Sequence, residues 1–279
     1  MKEHFFIYND TFFHVNEPVI SAGNRSLLYG DGLFETMRMH KERILNMDFH
    51  FERFFNGLKV LQFDIPKYFS HEFFLRKINS LLLKNNHEKN ARIRLMVFRD
   101  NGSILNPENN FPNYIMETSP LPEKIEFNET GLVVDVFKEG MKSCDMFSNL
   151  KSNNYLLNAM AGLFAKKNNL DDCIILNNYG RVCESAIANI FIIKDENIFT
   201  PPLAEGCVAG IMRRWILERF SLKGYVVTQK NLSIEDILHA DEFFVTNSIH
   251  PIRWVKSFRE KNYENEKVRE IYQYVLQNI

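Results

Sequence analysis

Hydrophobic and polar positions along the chain change period several times, and each change marks an element. His4–Asp10 (HFFIYND) and Thr11–Asn16 (TFFHVN) are short strand-like runs, and the loop Ser21–Gly32 (SAGNRSLLYGDG) follows them. Leu33–Leu45 (LFETMRMHKERIL) alternates like a hairpin turning at His40-Lys41. Beyond it Phe51, Phe54, Phe55, Leu58 and Leu61 recur at spacings of three and four, the stripe of a helix that Asp48 is placed to cap. A second helix is expected over Glu72–Leu83. Ala91–Asp100 (ARIRLMVFRD) alternates as a strand, with Arg92, Arg94 and Met96 on one face and Ile93, Leu95 and Val97 on the other.

Punctuation then suggests a boundary. Asp100–Glu123 carries four prolines, several Asn and a Gly, the composition of a linker. Residues 1–115 are therefore expected as a small first subdomain, 116–124 as the connection and 125–279 as a larger second subdomain. The second begins with the strand Leu132–Phe137 and the polar loop Lys138–Asn149, then a helix over Asn153–Lys167 with Leu156, Met160 and Phe164 on one stripe. Cys173–Val182 is a strand with a turn at Asn178-Tyr179-Gly180. Ala188–Lys194 and Asn197–Pro202 continue the sheet, and a helix starts after glycine over Gly210–Phe220. Gly224–Gln229 and Asp241–Asn247 are further strands, and Glu264–Asn278 is a closing helix. Many short strands without regular strand–helix alternation make an α+β fold in two subdomains.

Composition narrows the function. Hydrophobic residues are 45% of 279 and charged residues 25%, ample for a packed core and unlike a disordered chain. Lys and Arg total 34 against 35 Asp and Glu, without a block of like charge. That balance argues against nucleic acid or a membrane surface as partner. No apolar run approaches the ~20 residues of a membrane span, and Glu3 and His4 interrupt any signal-peptide core, so a cytoplasmic protein is expected. Cys144, Cys173, Cys183 and Cys207 are scattered without CxxC spacing, the pattern of reduced thiols rather than of disulfides or a metal site.

A few polar residues stand out. Lys151, in NLKSNNYLLNA, follows small polar residues and precedes a helix; a helical turn would set the Tyr155 phenol beside its amine. Taken alone, it also reads as a solvated lysine. Glu184 lies in the apolar run GRVCESAIANIF, where a carboxylate is costly unless paired, or else points to water from an edge strand. In PPLAEGCVAGIMRR, Gly210 precedes a helix start whose N–H groups attract phosphate. Arg53, in HFERFF, offers a second phosphate contact or an ordinary surface arginine.

In chain order, GNRSLLYGDGLFETMR, HFERF, RIRLMVFRD, KSNNYL, GRVCESAIANIF, TPPLAEGCVAGIMRR and ADEFFVTNS closely resemble the fold-type IV pyridoxal-phosphate enzymes, from about Phe6 to Val255. That family comprises branched-chain and D-amino-acid aminotransferases and 4-amino-4-deoxychorismate lyase. The resemblance implies a small N-terminal α/β subdomain and a larger, β-barrel-like C-terminal one, pyridoxal 5'-phosphate as cofactor, a small-molecule amino substrate and a homodimer. Residue by residue, it makes Lys151 the Schiff-base lysine. Covalent catalysis through an imine needs such an amine, held by burial and a cationic neighbour in its reactive form. Glu184 falls at the carboxylate against the pyridine nitrogen, where it keeps the ring an electron sink. Arg53, the Gly210-Ile211-Met212 backbone and Ser248 fall at phosphate contacts, Tyr155 near the phenolic oxygen, and Asn189 at a structural asparagine. On the substrate side the match points to Tyr29 and Phe34 as pocket walls and to Arg94 and Arg99 as carboxylate-binding candidates, Arg94 matching better; a solvated strand face and an ordinary core phenylalanine explain the same residues.

Two departures separate the subgroups. Met212 stands where branched-chain transaminases typically have threonine, and Asn247-Ser248-Ile249-His250-Pro251 replaces a GTAAE-like turn. With GIMRR, Phe34-Glu35-Thr36 and Trp254-Val255, these departures resemble aminodeoxychorismate lyase, which makes the folate precursor 4-aminobenzoate. A branched-chain or D-amino-acid aminotransferase is the alternative, and a non-catalytic cofactor-binding relative a further one.

Overall fold

The computed structural model describes residues 4–220 and 225–279, so the start of the strand expected from Gly224 lies outside the described residues. Two compact units result. One is the chain up to Lys124 together with Leu150–Asn154; the other is Ile125–Asn149 with Tyr155–Ile279.

The first unit is a six-stranded antiparallel sheet, ordered β2-β1-β6-β5-β3-β4, from β1 (Phe5–Tyr8), β2 (Thr11–His14), β3 (Gly32–His40), β4 (Arg43–Ile44), β5 (Asn90–Phe98) and β6 (Asn113–Pro120). β3 pairs with β5 from Gly32↔Phe98 to His40↔Asn90. A side-chain period of two therefore puts Leu33, Met37 and Met39 with Val97, Leu95, Ile93 and Ala91 on one face, and Phe34, Thr36 and Arg38 with Met96, Arg94 and Arg92 on the other. The apolar face is covered by α2 (Met47–Val60) and α3 (His71–Asn85), through Phe51, Phe54, Leu58, Phe74, Ile78 and Leu81. Phe74 is the hub of that core, with ring centroids 4.7 Å from Phe69, 5.2 Å from Phe54 and Phe73, and 5.6 Å from Tyr114. Gly57 lets α2 approach the sheet, since a Cβ there would lie 2.7 Å from Leu33 Cδ2. The short helix α1 (Arg25–Tyr29) is capped by the Asn24 side chain, which accepts from Ser26 N.

Two expectations need correction here. Asp48 sits in the first turn of α2, not at its cap; the cap is Asn46 in a left-handed conformation. Met116–Pro120, expected as connection, form the second half of β6, because Met116 and Thr118 alternate into the core beside β5.

The second unit is a curled sheet ordered β12-β11-β10-β13-β14-β7-β8-β9, with β15 paired to β14. Its strands are β7 (Leu132–Lys142), β8 (Asp172–Asn177), β9 (Val182–Ser185), β10 (Asn189–Lys194), β11 (Asn197–Thr200), β12 (Val227–Gln229), β13 (Glu242–Thr246), β14 (Arg253–Phe258) and β15 (Lys261–Asn262). β7 lies parallel to both β14 and β8, and β11 parallel to β12; the other pairs are antiparallel. Helices α4 (Leu156–Lys167), α5 (Ile211–Arg219), α6 (Ile234–Leu238) and α7 (Glu266–Asn278) complete it. β7 runs on through the segment expected as a polar loop, with a register shift between Phe137 and Lys142 that carries Lys142 opposite Asn177. On α4 the inward stripe is Leu157, Ala161, Phe164 and Ala165 against Phe137, Cys173 and Ile175; Leu156 and Met160, expected to share Phe164's stripe, face outward. Among the described residues no helix is long and apolar enough to cross a membrane.

Phe74→Ala removes the hub ring and should cost about 3–5 kcal/mol of stability, the range for truncating a buried phenylalanine to alanine. Denaturant melts followed by circular dichroism check this; a loss below about 1 kcal/mol would show that the aromatic cluster repacks.

Candidate active site

In the first unit the functional candidates lie on both faces of β3. Lys151 follows no helical turn: its carbonyl accepts from Phe34 N at 2.9 Å, and Asn153 N donates to Gly32 O at 2.9 Å, so residues 151–153 run extended beside the start of β3. The turn expected to place Tyr155 beside Lys151 is absent, and Tyr155 is instead the N-cap of α4 in the second unit. The Lys151 ammonium lies 4.5 Å from the Phe34 ring centroid, and the Arg94 guanidinium lies 4.9 Å from the same centroid. One aromatic ring thus gathers an amine and a guanidinium. Arg94 Nε is buried with no hydrogen-bond partner in the structure, a donor suited to an incoming carboxylate.

On the opposite face of β3, Glu35 sits among Leu33, Met37 and Met39 and is 2% exposed. Three side-chain bonds compensate its charge: Arg53 Nε donates to Oε1 at 2.7 Å, Arg53 Nη2 to Oε2 at 2.6 Å, and His50 Nδ1 to Oε2 at 2.6 Å. Burial pushes the Glu35 carboxyl up, but Arg53 and His50 outweigh it and hold it at about 2. Burial likewise pushes His50 below its ordinary value despite the facing carboxylate, which leaves the imidazole neutral. Sequence reasoning missed Glu35 and His50. The signal was present: a carboxylate on the apolar face of a strand, and His50 and Arg53 three apart on one helix face.

Arg99 is engaged within its own unit. Its guanidinium donates to Asp31 Oδ1 (2.6 Å), Asn110 Oδ1 (3.1 Å), Gln62 O (3.1 Å) and Leu61 O, and stacks on Phe63, so four of its five N–H donors hold the loops of the first unit together. Tyr29, at the end of α1, is 41% exposed and lies under the Arg25 guanidinium at 5.4 Å.

In the second unit Glu184 is 3% exposed and does not point to water. Asn158 Nδ2 donates to its Oε1 at 3.2 Å, Val208 N donates to its Oε2 at 2.8 Å, and Lys142 Nζ pairs with Oε1. Asn189 Nδ2 donates to Val208 O at 2.9 Å, which ties the Glu184 ligand loop to β10. Gly210 is the N-cap of α5, and no side chain caps that helix start. A Cβ at 210 would fall 1.8 Å from Asn189 Oδ1, so only glycine lets the start of α5 pack there. Ile211 and Met212 form the buried first turn. Ser248 lies in a turn made by Asn247, whose Oδ1 accepts from Ile249 N at 2.9 Å and His250 N at 2.8 Å. The loop that leads to α5 is pinned by Glu205, which takes Arg181 Nε at 2.5 Å, Arg181 Nη2 at 2.8 Å and Asn177 Nδ2 at 2.7 Å. Lys142 and Asn158 carried no sequence signal, because the register shift in β7 decides where Lys142 falls.

Each unit's donors suit part of pyridoxal phosphate. In the second unit a helix start without a side-chain cap suits a phosphate, and a buried carboxylate with donors on its flanks suits a basic ring nitrogen; in the first unit a lysine amine suits an aldehyde. Among the described residues no cluster of three or more His, Cys, Asp or Glu could hold a metal ion.

Comparison with known proteins agrees. The family model for amino-transferase class IV matches residues 32–258. An aminodeoxychorismate lyase of Bacillus subtilis is 29% identical over 263 residues, covering 92% of this chain and 88% of its own. A D-alanine aminotransferase of Staphylococcus haemolyticus is 27% identical over 248 residues, covering 86% and 84%. The branched-chain amino acid aminotransferase of Escherichia coli, at 22% identity, has the same fold, with a TM-score of 0.88 over 99% of this chain and 94% of that one.

Glu35 yields a pH prediction. Its folded value of about 2 lies below its ordinary 4.5, so its stabilisation is complete above 4.5 and is lost as pH falls toward 2. Glu35→Gln should cost about 3–5 kcal/mol at neutral pH, by leaving Arg53 without its buried partner, and should flatten the acid limb of stability between those two values. Thermal melts across pH check both; a variant with the wild-type acid limb would show that another group controls it.

Proposed function

Because the chain belongs to the class IV aminotransferases, a family of pyridoxal-phosphate enzymes, we propose that it is an aminodeoxychorismate lyase, converting 4-amino-4-deoxychorismate to 4-aminobenzoate and pyruvate in the cytoplasm. One observation carries the choice within the family. In the turn Asn247–Pro251 the amides of Ile249 and His250 are directed onto the Asn247 side chain. Without that side chain, such amides would be left to donate to an outside anion. Relatives at similar identity carry both names, a lyase and aminotransferases, so the choice rests on this turn.

In this assignment Arg53, the amides of Gly210-Ile211-Met212 and Ser248 hold the cofactor phosphate, Glu184 faces the ring nitrogen, Tyr155 lies near the phenolic oxygen, and Asn189 holds the turn before α5. Bound pyridoxal phosphate supplies an electron sink for the pair left behind when a proton departs from the carbon bearing the amino group. Lys151, once its amine is released, removes that proton as general base. Arg94 holds a substrate carboxylate with its Nε edge, and Phe34 walls the pocket and keeps the Lys151 amine against an apolar surface. Arg99 has no part in this assignment, and Tyr29 is kept as a wall residue.

We also propose a homodimer. Leu156, Met160 and Leu163 form an outward stripe on α4, 69%, 42% and 61% exposed. Apolar side chains in a row on a surface mark an interface.

Holoenzyme given aminodeoxychorismate should release pyruvate and 4-aminobenzoate without any amino acceptor, and should form no oxo acid from L-Leu or D-Ala with 2-oxoglutarate. The reverse pattern would make it an aminotransferase; neither activity would make it a non-catalytic relative. Lys151→Ala should lose at least ~10²-fold of whichever turnover is found, the low end of general-base catalysis. Leu163→Glu should shift the protein to monomer in light scattering, and an unchanged mass would place the interface elsewhere.

A further inference from the structure

We infer that Lys142 is a positioning residue that keeps the proton on the cofactor's ring nitrogen, by holding the facing Glu184 carboxylate as a fixed anion. The inference rests on Glu184 meeting that nitrogen and goes beyond it.

The ion pair is unusual in its place. Lys142 ends β7 and Glu184 lies on β9, so the pair spans the intervening strand β8, where their register partners are Asn177 and Ile175. Both side chains are largely buried, 12% and 4% exposed. Burying such a pair costs desolvation that its Coulomb attraction offsets only with good geometry, and an apolar pair of similar size is often as stable. Stability alone therefore gives little reason for a lysine at 142.

The geometry supplies another reason. Glu184 Oε1 accepts from Lys142 and Asn158, while Oε2 accepts from Val208 N. An ionised carboxylate has about four acceptor sites, so Oε2 keeps room for one more donor. The other ionisable groups nearby do not use the Lys142 charge. Burial pushes the Cys207 thiol up to about 11 and the Cys183 thiol higher still, so both are neutral. Glu205 is held by Arg181, and Arg213 by Pro201 O and Gln229. Lys142 therefore acts on Glu184.

A proton between a pyridine nitrogen and a carboxylate rests on the stronger base of the two. An adjacent ammonium favours the charged form of a carboxyl, which weakens it as a base and leaves the proton on nitrogen. Removing the ammonium removes that bias toward the proton on nitrogen, and with it part of the ring's strength as an electron sink.

The test uses holoenzyme reconstituted with pyridoxal phosphate labelled with ¹⁵N in the ring, read by ¹⁵N NMR. Wild type should show the protonated ring nitrogen. Lys142→Met and Lys142→Gln should both move the resonance toward the unprotonated position; the glutamine keeps a neutral donor beside Oε1, so that the fold survives. Lys142→Arg should restore the protonated signal. Glu184→Gln should give the unprotonated resonance whatever Lys142 does. A wild-type resonance in Lys142→Gln, with the resonance lost in Glu184→Gln, overturns the role of Lys142 alone. A protonated resonance in Glu184→Gln overturns the placement of Glu184 itself. A lysine that served only as a structural tie would change stability and leave the resonance in place.

Discussion

A carboxylate buried in a protein costs several kcal/mol unless donors meet its oxygens, and each unit of this chain buries at least one. In the first, Glu35 stands on the apolar side of β3 and survives there because Arg53 closes on both its oxygens and His50 adds a third bond. In the second, Glu184 stands in an apolar strand and survives because Lys142, Asn158 and Val208 N converge on it. The cost of each charge is met inside its own unit. Arg53 is thereby held in one orientation by Glu35, and Glu184 by Lys142, before any ligand is bound. Preorganised charge of this kind needs no rearrangement when a ligand arrives.

The same logic separates residues that look alike in sequence. Arg94 and Arg99 lie on one strand segment, yet Arg99 donates to four oxygens of its own unit, while Arg94 keeps a buried Nε with no partner. Most of the Arg99 donors are thus spent inside the unit, whereas Arg94 keeps a buried one for a ligand. Similarly, Met160 and Phe164 are four apart on α4, but Phe164 packs on Phe137 at 5.5 Å whereas Met160 faces outward. A helix stripe drawn from spacing alone fails there because small residues, Ala161 and Ala165, form the true inward face.

Much was legible in the chain itself. The hairpin at His40-Lys41, the strand through Arg92–Val97 and the turn before Gly180 follow from alternation and turn residues. The candidates Lys151, Arg53, Glu184 and Gly210 follow from motif order, and the family expected from that order is the one whose model matches. What stayed hidden depends on long-range register. β6 was masked by prolines at its end, and β7 was cut short because Lys138–Lys142 are polar although they continue the strand. α6 escaped notice even though Ser233 and Asp236 form a capping box. Lys142 and Asn158 could be found only once β7, β8 and β9 were side by side, since 42 and 26 residues separate them from Glu184.

Charges fixed before the cofactor arrives should stay in place once it is bound, and a crystal structure of the protein reconstituted with pyridoxal phosphate checks this. It should show unbroken density from Lys151 Nζ to the cofactor, the ring nitrogen on Glu184 Oε2 with Lys142 still on Oε1, and the phosphate at the start of α5 with Arg53 still clasped by Glu35. Density on another lysine, a Glu184 turned away from the ring, or an Arg53 that abandons Glu35 to reach the phosphate would contradict it.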